Sequence, residues 1–229
     1  EAIIKRNFLL QWHPAMSFET NNVMQREIYS GLQVEENVIR AAEFMPYIEQ
    51  LELGSEFDQS LLKDIAEHPK LLANQEKVAI NITQDSVLDV NFHSWLNLFL
   101  SRQKNPNRFH FEIQESTVLT HPKLAQKFAN VIKKQSAKLG IDHYGREMGS
   151  VAYLQHMKPD YVKLDQSLSC NLSNDMEVDE LTERLALSRA VINTARGLGI
   201  EVIITAVEDD EQLKMLRSLH ANGYQGFII

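Results

Sequence analysis

Acidic, amide and basic side chains recur at the ends of apolar segments along this 229-residue chain: Glu27, Asn81, Glu112 with Glu115, Asp142 with His143, Lys163 with Asp165, Thr205 with Glu208, and Gln225. Several carboxylates and an amide converging on one mouth would offer the oxygen ligands that hard divalent cations prefer. A lysine in the same ring would neutralise a phosphate or orient a water. Together these groups fit metal-assisted phosphodiester chemistry. Taken singly they are bland: each carboxylate reads as a solvated loop charge, Asn81 as a turn residue and His143 as a surface histidine. The chemical reading comes from their recurrence at successive segment ends.

Those ends depend on the elements between them. Phe8–Trp12 reads as a buried strand, and 23–29 as a second after the polar turn at Asn21-Asn22. Apolar residues at Phe57, Leu61, Leu62, Ile65 and Leu72 have helical spacing, so a helix is predicted over 57–72. Val78–Ile82 is β-branched and reads as a strand, 92–100 as a helix and 108–113 as a strand. An amphipathic helix is predicted over 124–139 with Gly140 as its C-cap. The pattern then repeats: a strand opening at Ile141, a helix over 150–157, a strand over 161–164, a helix over 181–198 ending at Gly199, a strand over 201–206, a helix over 211–219 and a strand over 224–229. No element is assigned to 33–42, and 171–182 reads as one polar loop. Alternating strands and helices imply a parallel α/β architecture. About seven or eight strands favour a (β/α)8 TIM-like barrel in a single domain over 1–229, with the chemistry at the C-terminal strand ends.

Net charge is −8 with Cys170 as the sole cysteine. The acidic balance argues against binding of polymeric nucleic acid by this domain, which needs clustered Lys and Arg. A single thiol excludes an internal disulfide and fits a reducing compartment; no basic motif surrounds Cys170, which reads as a bystander. No run of about 18 apolar residues offers a membrane span. The opening Glu1-Ala2-Ile3-Ile4-Lys5 is neither a signal peptide nor a natural initiator, and the sequence stops on a predicted strand. The expectation is an excised cytoplasmic domain of a bacterial protein anchored in the inner membrane.

Read in order, the segments resemble the motifs of EAL domains, the cyclic-di-GMP phosphodiesterase family, over nearly the whole chain. Phe8-Leu9-Leu10-Gln11 resembles the opening strand, Glu27-Ile28-Tyr29 stands at the name-giving Glu-Ala-Leu, and Glu43–Glu49 resembles the F-I-P-x-A-E segment. Asn81 lies in a segment similar to N-L-S, and Glu112–Glu115 resembles E-x-T-E. Asp142-His143-Tyr144-Gly145 stands at D-D-F-G, and Ser150–Leu154 and Pro159–Asp165 follow it closely. Ile204–Glu208 stands at A-E-G-V-E, and Gln225-Gly226-Phe227 resembles Q-G-Y.

The resemblance implies Glu27, Asn81, Glu112 and Asp142 as first-metal ligands, Lys163 beside the attacking water, Glu115 as the brace of the loop after Asp142, and Glu208 and Gln225 completing the pocket. It also marks departures. His143 replaces the second aspartate of the D-D pair, Thr205 replaces a glutamate tied to metal binding and general-base work, and Gly31 stands where active relatives carry a phosphate-gripping arginine. A neutral imidazole supplies no anionic oxygen, and a threonine hydroxyl is no base near neutral pH. The expectation is therefore a catalytically inactive EAL domain, with Lys163, Glu208 and the metal ligands vestigial. No cofactor is required, although the carboxylate ring could hold one Mg²⁺ or Ca²⁺ weakly. The leading reading is a regulatory protein-interaction module of the CsrD type, promoting RNase E-dependent small-RNA turnover, with RNase E or a phosphotransferase component as partner. Residues 50–59 and the Phe92–Leu96 helix carry that likeness. The alternative is a non-hydrolysing cyclic-di-GMP receptor of the LapD type, on the Asp142-His143-Tyr144-Gly145-Arg146 pattern, with Gln11, Asp142, Arg146 and Gln225 as ligand contacts. Trp95 and Phe99 are assigned to the core. Active relatives dimerise through this domain, so a homodimer is a further expectation.

Overall fold

A computed structural model describes residues 6–68, 76–147, 152–169 and 177–228. Along the chain lie β1 (Phe8–Ser17), β2 (Val23–Val34), β3 (Asn37–Arg40), α1 (Ala41–Gln50), α2 (Gly54–Glu67), β4 (Val78–Asn81), α3 (Gln84–Leu88), α4 (Val90–Ser101), β5 (Phe109–Gln114), α5 (Glu115–Thr120), α6 (Pro122–Lys134), β6 (Lys138–Tyr144), α7 (Ala152–Met157), β7 (Tyr161–Leu164), α8 (Val178–Gly197), β8 (Glu201–Ile204), α9 (Asp210–Arg217) and β9 (Gly223–Tyr224). They form two compact units. The first comprises Glu1–His13, Arg26–Ile113 and Lys123–Lys138, and the second Pro14–Gln25, Gln114–Pro122 and Leu139–Ile229.

In the first unit the strands run β3-β2-β4-β5. β2, β4 and β5 are parallel, with Glu27 opposite Ala79 and Asn81 opposite Glu112, whereas β3 returns antiparallel along β2. Val78, Ala79, Ile80, Phe111 and Ile113 are buried, as expected of central strands covered on both faces. Phe92, Leu96 and Leu100 of α4 recur at helical spacing and are fully buried beside Phe128 of α6. In the second unit β6, β7, β8 and β9 are parallel, and β1 pairs antiparallel with β9. Ala15, Tyr161 and Ile203 cluster in its interior.

The structure corrects several sequence boundaries. The helix expected to reach Leu139 ends at Lys134, and Gly140 lies inside β6 rather than capping a helix. A Cβ at Gly140 would sit 2.5 Å from Cζ of Tyr161, so the missing side chain makes room for the Tyr161 ring on the neighbouring strand. The stretch left unassigned, 33–42, holds the β2–β3 hairpin and the start of α1; Glu35, at φ 55°, turns it. β9 stops at Tyr224, well short of the expected strand end, and β8 stops at Ile204. Cys170, Leu72 and part of the expected 171–182 loop lie outside the described residues, as does the start of the helix expected from Ser150. Trp95 and Phe99 are only half-buried; their rings stack 5.1 Å apart over a surface groove that includes Lys63, Leu98 and Arg102.

Asp58 of α2 is fully buried. Its Oδ2 accepts hydrogen bonds from the Thr83 N–H at 2.9 Å and the Thr83 hydroxyl at 2.7 Å, while Oδ1 has no partner among the described residues. Burial pushes its pKa up to about 7, against the hydrogen bonds from Ser86 and Thr83. Between an ordinary carboxylate pKa and that value, the folded chain holds a proton that the unfolded chain has released. The stability contribution of Asp58 is therefore full at acid pH and declines as pH rises from about 4 to 7, by at most about 1.4 kcal/mol per unit. Urea midpoints at pH 5 and pH 7.5 check this. The gap between wild type and Asp58→Asn should move in favour of the amide variant at the higher pH, and a gap unchanged between the two would refute it.

Candidate functional site

In the first unit the polar residues gather on one face of the β2-β4-β5 ladder. Residues two apart on a strand share a face and Cα partners stand side by side, so Glu27, Asn81 and Glu112 lie on a common side. Glu27 is 4% exposed and Glu112 is fully buried. Asn81 Nδ2 donates to Glu27 Oε1 at 2.6 Å, and the Tyr29 hydroxyl donates to Glu27 Oε2 at 3.0 Å. Both oxygens of this expected metal ligand are thus held by neighbouring donors. Among the described residues no group of three His, Cys, Asp or Glu side chains forms a metal-binding set.

On the same unit a cavity of about 520 Å³ is lined by Leu9, Gln11, Tyr29, Ser30, Gly31, Val38, Arg40, Ala41 and Ala42. Its size falls within the usual range for ligand pockets, about 300–1,000 Å³. Gln11, assigned to ligand contact by its motif, is exposed into it. Arg40 comes from the stretch to which no element was given; only the antiparallel return of β3 brings it there.

In the second unit His143 links two carboxylates. Its Nδ1 lies 2.9 Å from Asp165 Oδ2 and its Nε2 3.5 Å from Asp142 Oδ2. Burial pushes the Asp165 carboxyl up, but hydrogen bonds from Ser167 and His143 outweigh it and hold the group below its usual range. His143 has φ 57°, a left-handed backbone that histidine, asparagine and aspartate tolerate better than most residues. Arg146 is exposed, with its N–H donating to the His143 carbonyl at 3.2 Å. Lys163 on β7 is 3% exposed.

Glu115 is 4% exposed and braces the turn after Tyr144. Its Oε2 accepts from the N–H groups of Gly145 at 3.1 Å and Glu147 at 3.3 Å, and its Oε1 from the Tyr153 hydroxyl at 2.8 Å. Burial and the Glu115 charge raise the pKa of Tyr144 to about 12, and that of Tyr153 also rises. The Thr205 hydroxyl donates to the Leu164 carbonyl at 2.7 Å. Glu208 is exposed, and its N–H donates to Gln212 Oε1 at 2.7 Å. Gln225 is 4% exposed, with its N–H donating to the Ile204 carbonyl at 2.8 Å and its carbonyl accepting from Val207. A Cβ at Gly226 would overlap the Val207 backbone, so only glycine fits beside Gln225.

The family described as EAL domain matches residues 1–229. The chain belongs to the EAL domain family. Vibrio cholerae LapD, as an S helix-GGDEF-EAL fragment bound to c-di-GMP, superposes with a TM-score of 0.88 at 29% identity, over 99% of this chain and 54% of that one. An EAL domain protein of Listeria monocytogenes gives 0.83 at 26% identity, over 99% and 88%. The fold is therefore the EAL-type (β/α)8 α/β fold of these structures. Among curated proteins, the Escherichia coli RNase E specificity factor CsrD is 21% identical over 93% of this chain and 32% of its own length. The Shewanella oneidensis cyclic di-GMP phosphodiesterase PdeB is 22% identical over 100% and 27%. This EAL domain thus spans a third or less of the length of these curated relatives. No helix among the described residues is long and apolar enough to cross a membrane.

The structure adds side-chain partners that the sequence motifs did not pair. Tyr29 and Tyr153 were each inside a matched segment, yet nothing in the sequence pairs Tyr29 with Glu27 or Tyr153 with Glu115.

Proposed function

We propose that this EAL domain is a cyclic-di-GMP receptor that binds the dinucleotide and does not hydrolyse it, as a signalling module of the LapD type. The observation that carries the reading is the open pocket around Gln11 and Arg40, which offers polar and apolar walls to a nucleotide. Two positions tied to hydrolysis by the motif resemblance do other work here. His143 is held between Asp142 and Asp165, and the Thr205 hydroxyl is committed to a backbone carbonyl. The solved relative of 29% identity is described as bound to c-di-GMP, which favours the same ligand class. In the first unit Gln11 is the proposed nucleotide contact of this pocket; in the second unit Arg146, Gln225 and, as the vestigial metal position, Asp142 are proposed from the motif resemblance alone. No metal is required for this role; one Mg²⁺ or Ca²⁺ on the motif ligands would be weak, because Asn81 and Tyr29 already hold Glu27.

A second reading is favoured by the match to CsrD over 93% of this chain. In it the domain acts through a protein partner in RNase E-dependent RNA turnover, such as RNase E or a phosphotransferase component. Calorimetric titration of cyclic-di-GMP, with Ca²⁺ and again with EDTA, separates the two when the mixture is then analysed for cleavage. Micromolar or tighter binding with intact nucleotide is the expected result. No heat under either condition would reject the receptor and leave the partner reading. Accumulation of linear dinucleotide would reject both in favour of an enzyme.

A further inference from the structure

We propose that Arg40, delivered by the β2–β3 hairpin, is the phosphate-gripping residue of the Gln11 pocket, and that Gly31 is the clearance it needs. The inference rests on the receptor reading of that pocket. Arg40 is the one charged residue among the described residues that line it. A cyclic dinucleotide carries two phosphodiester charges, and an anion entering a half-apolar cleft needs a cation there. Arginine suits this best, because its planar fork can donate two parallel hydrogen bonds to a phosphate.

The hairpin fixes the geometry. Gly31 and Arg40 are Cα partners on β2 and β3, and directly opposed residues of an antiparallel pair project to the same face. Arg40 therefore projects over the site that Gly31 leaves bare. The clearance is tight: a Cβ at Gly31 would stand 3.0 Å from Val38 Cγ1 and 3.4 Å from the Ile39 carbonyl oxygen. A long side chain on β2 at this point would push against β3, so the cation comes from β3 instead. Arg40 is exposed, and the ion pairs of the described residues leave its guanidinium without a carboxylate partner. Leu9, Tyr29 and Val38 are 40–46% exposed around it, an apolar rim against which a base can stack or pack.

The test is calorimetry of the folded protein with cyclic-di-GMP at two salt concentrations, comparing wild type with Arg40→Ala, Arg40→Lys and the exposed cation outside the pocket, Lys104→Ala. Losing a charge-assisted bidentate contact should weaken binding about 10- to 100-fold in Arg40→Ala. It should also flatten the salt dependence. Arg40→Lys should fall between, and Lys104→Ala should match wild type. Melting temperatures equal to wild type would show that folding is not the cause. Wild-type binding that survives Arg40→Ala unchanged would overturn this assignment and leave the receptor standing. A wild type that does not bind would overturn both.

Discussion

Cyclic-di-GMP incubated with this protein and Mg²⁺ or Mn²⁺ is expected to be recovered intact. A positioned acid–base group contributes about 10²–10⁴-fold to a rate. At Thr205 the side chain is a hydroxyl that already donates to the Leu164 carbonyl at 2.7 Å, so no base stands there. At His143, where the motif resemblance expects an aspartate of a second cation, an imidazole engages Asp165 and faces Asp142 and supplies no anionic oxygen. The converse is the sharper test. His143→Asp is sterically mild, because aspartate shares the tolerance of histidine for φ near 57°. It would set a new carboxylate beside Asp142 and Asp165, whose mutual repulsion a divalent cation would relieve. The His143→Asp/Thr205→Glu double variant is therefore expected to gain at least about 100-fold in linear-dinucleotide production over wild type, given one restored base. Each single variant should gain little. The His143→Asp protein should also melt higher with Mg²⁺ than with EDTA, by a larger shift than wild type shows. Rapid hydrolysis by the wild type, followed by chromatography, would sink the account of both residues.

Much of the fold was legible in the sequence, for a physical reason. Buried parallel strands read as short, mainly apolar segments, so Val78–Asn81 and Tyr161–Leu164 were placed at their boundaries or within one residue. Motif residues at their C-terminal ends, Asn81 and Lys163, followed at once. What escaped depends on pairings between distant segments. The hairpin at 34–37 turns on Glu35 in a left-handed conformation without glycine, so no turn signal marked it. Arg40 was invisible for the same reason: its role exists only through the register that sets it opposite Gly31. Gly140 misled in the opposite sense. A glycine after an amphipathic run reads as a C-cap, and only the Tyr161 ring on the adjacent strand explains it as clearance.

Glu115→Ala is expected to destabilise the fold by about 2–4 kcal/mol, since a buried donor left without a partner costs about 1–3 kcal/mol and the donors here are part-buried. Three donors converge on that carboxylate: the N–H groups of Gly145 and Glu147 and the Tyr153 hydroxyl. Gly145 has φ 87°, and a Cβ there would stand 2.8 Å from Leu168, so the turn has little freedom to find other acceptors. Glu115→Gln separates charge from connectivity. Its amide oxygen can still accept from the two N–H groups, and its amide nitrogen can donate to the Tyr153 oxygen, so the pattern survives with the donor reversed. Glu115→Gln should then cost about 1 kcal/mol, the loss of charge assistance alone. It should also lower the Tyr144 pKa from about 12, because the anion that helps raise it is gone. Urea unfolding and a spectrophotometric tyrosine titration read these effects. The turn that Glu115 holds follows directly on His143 and Tyr144, so a loosened brace should also blur His143, seen as broadened imidazole resonances in Glu115→Ala and sharp ones in Glu115→Gln. An alanine variant within about 1 kcal/mol of wild type would mean that water satisfies the three donors, and that the turn is held by its own backbone geometry instead.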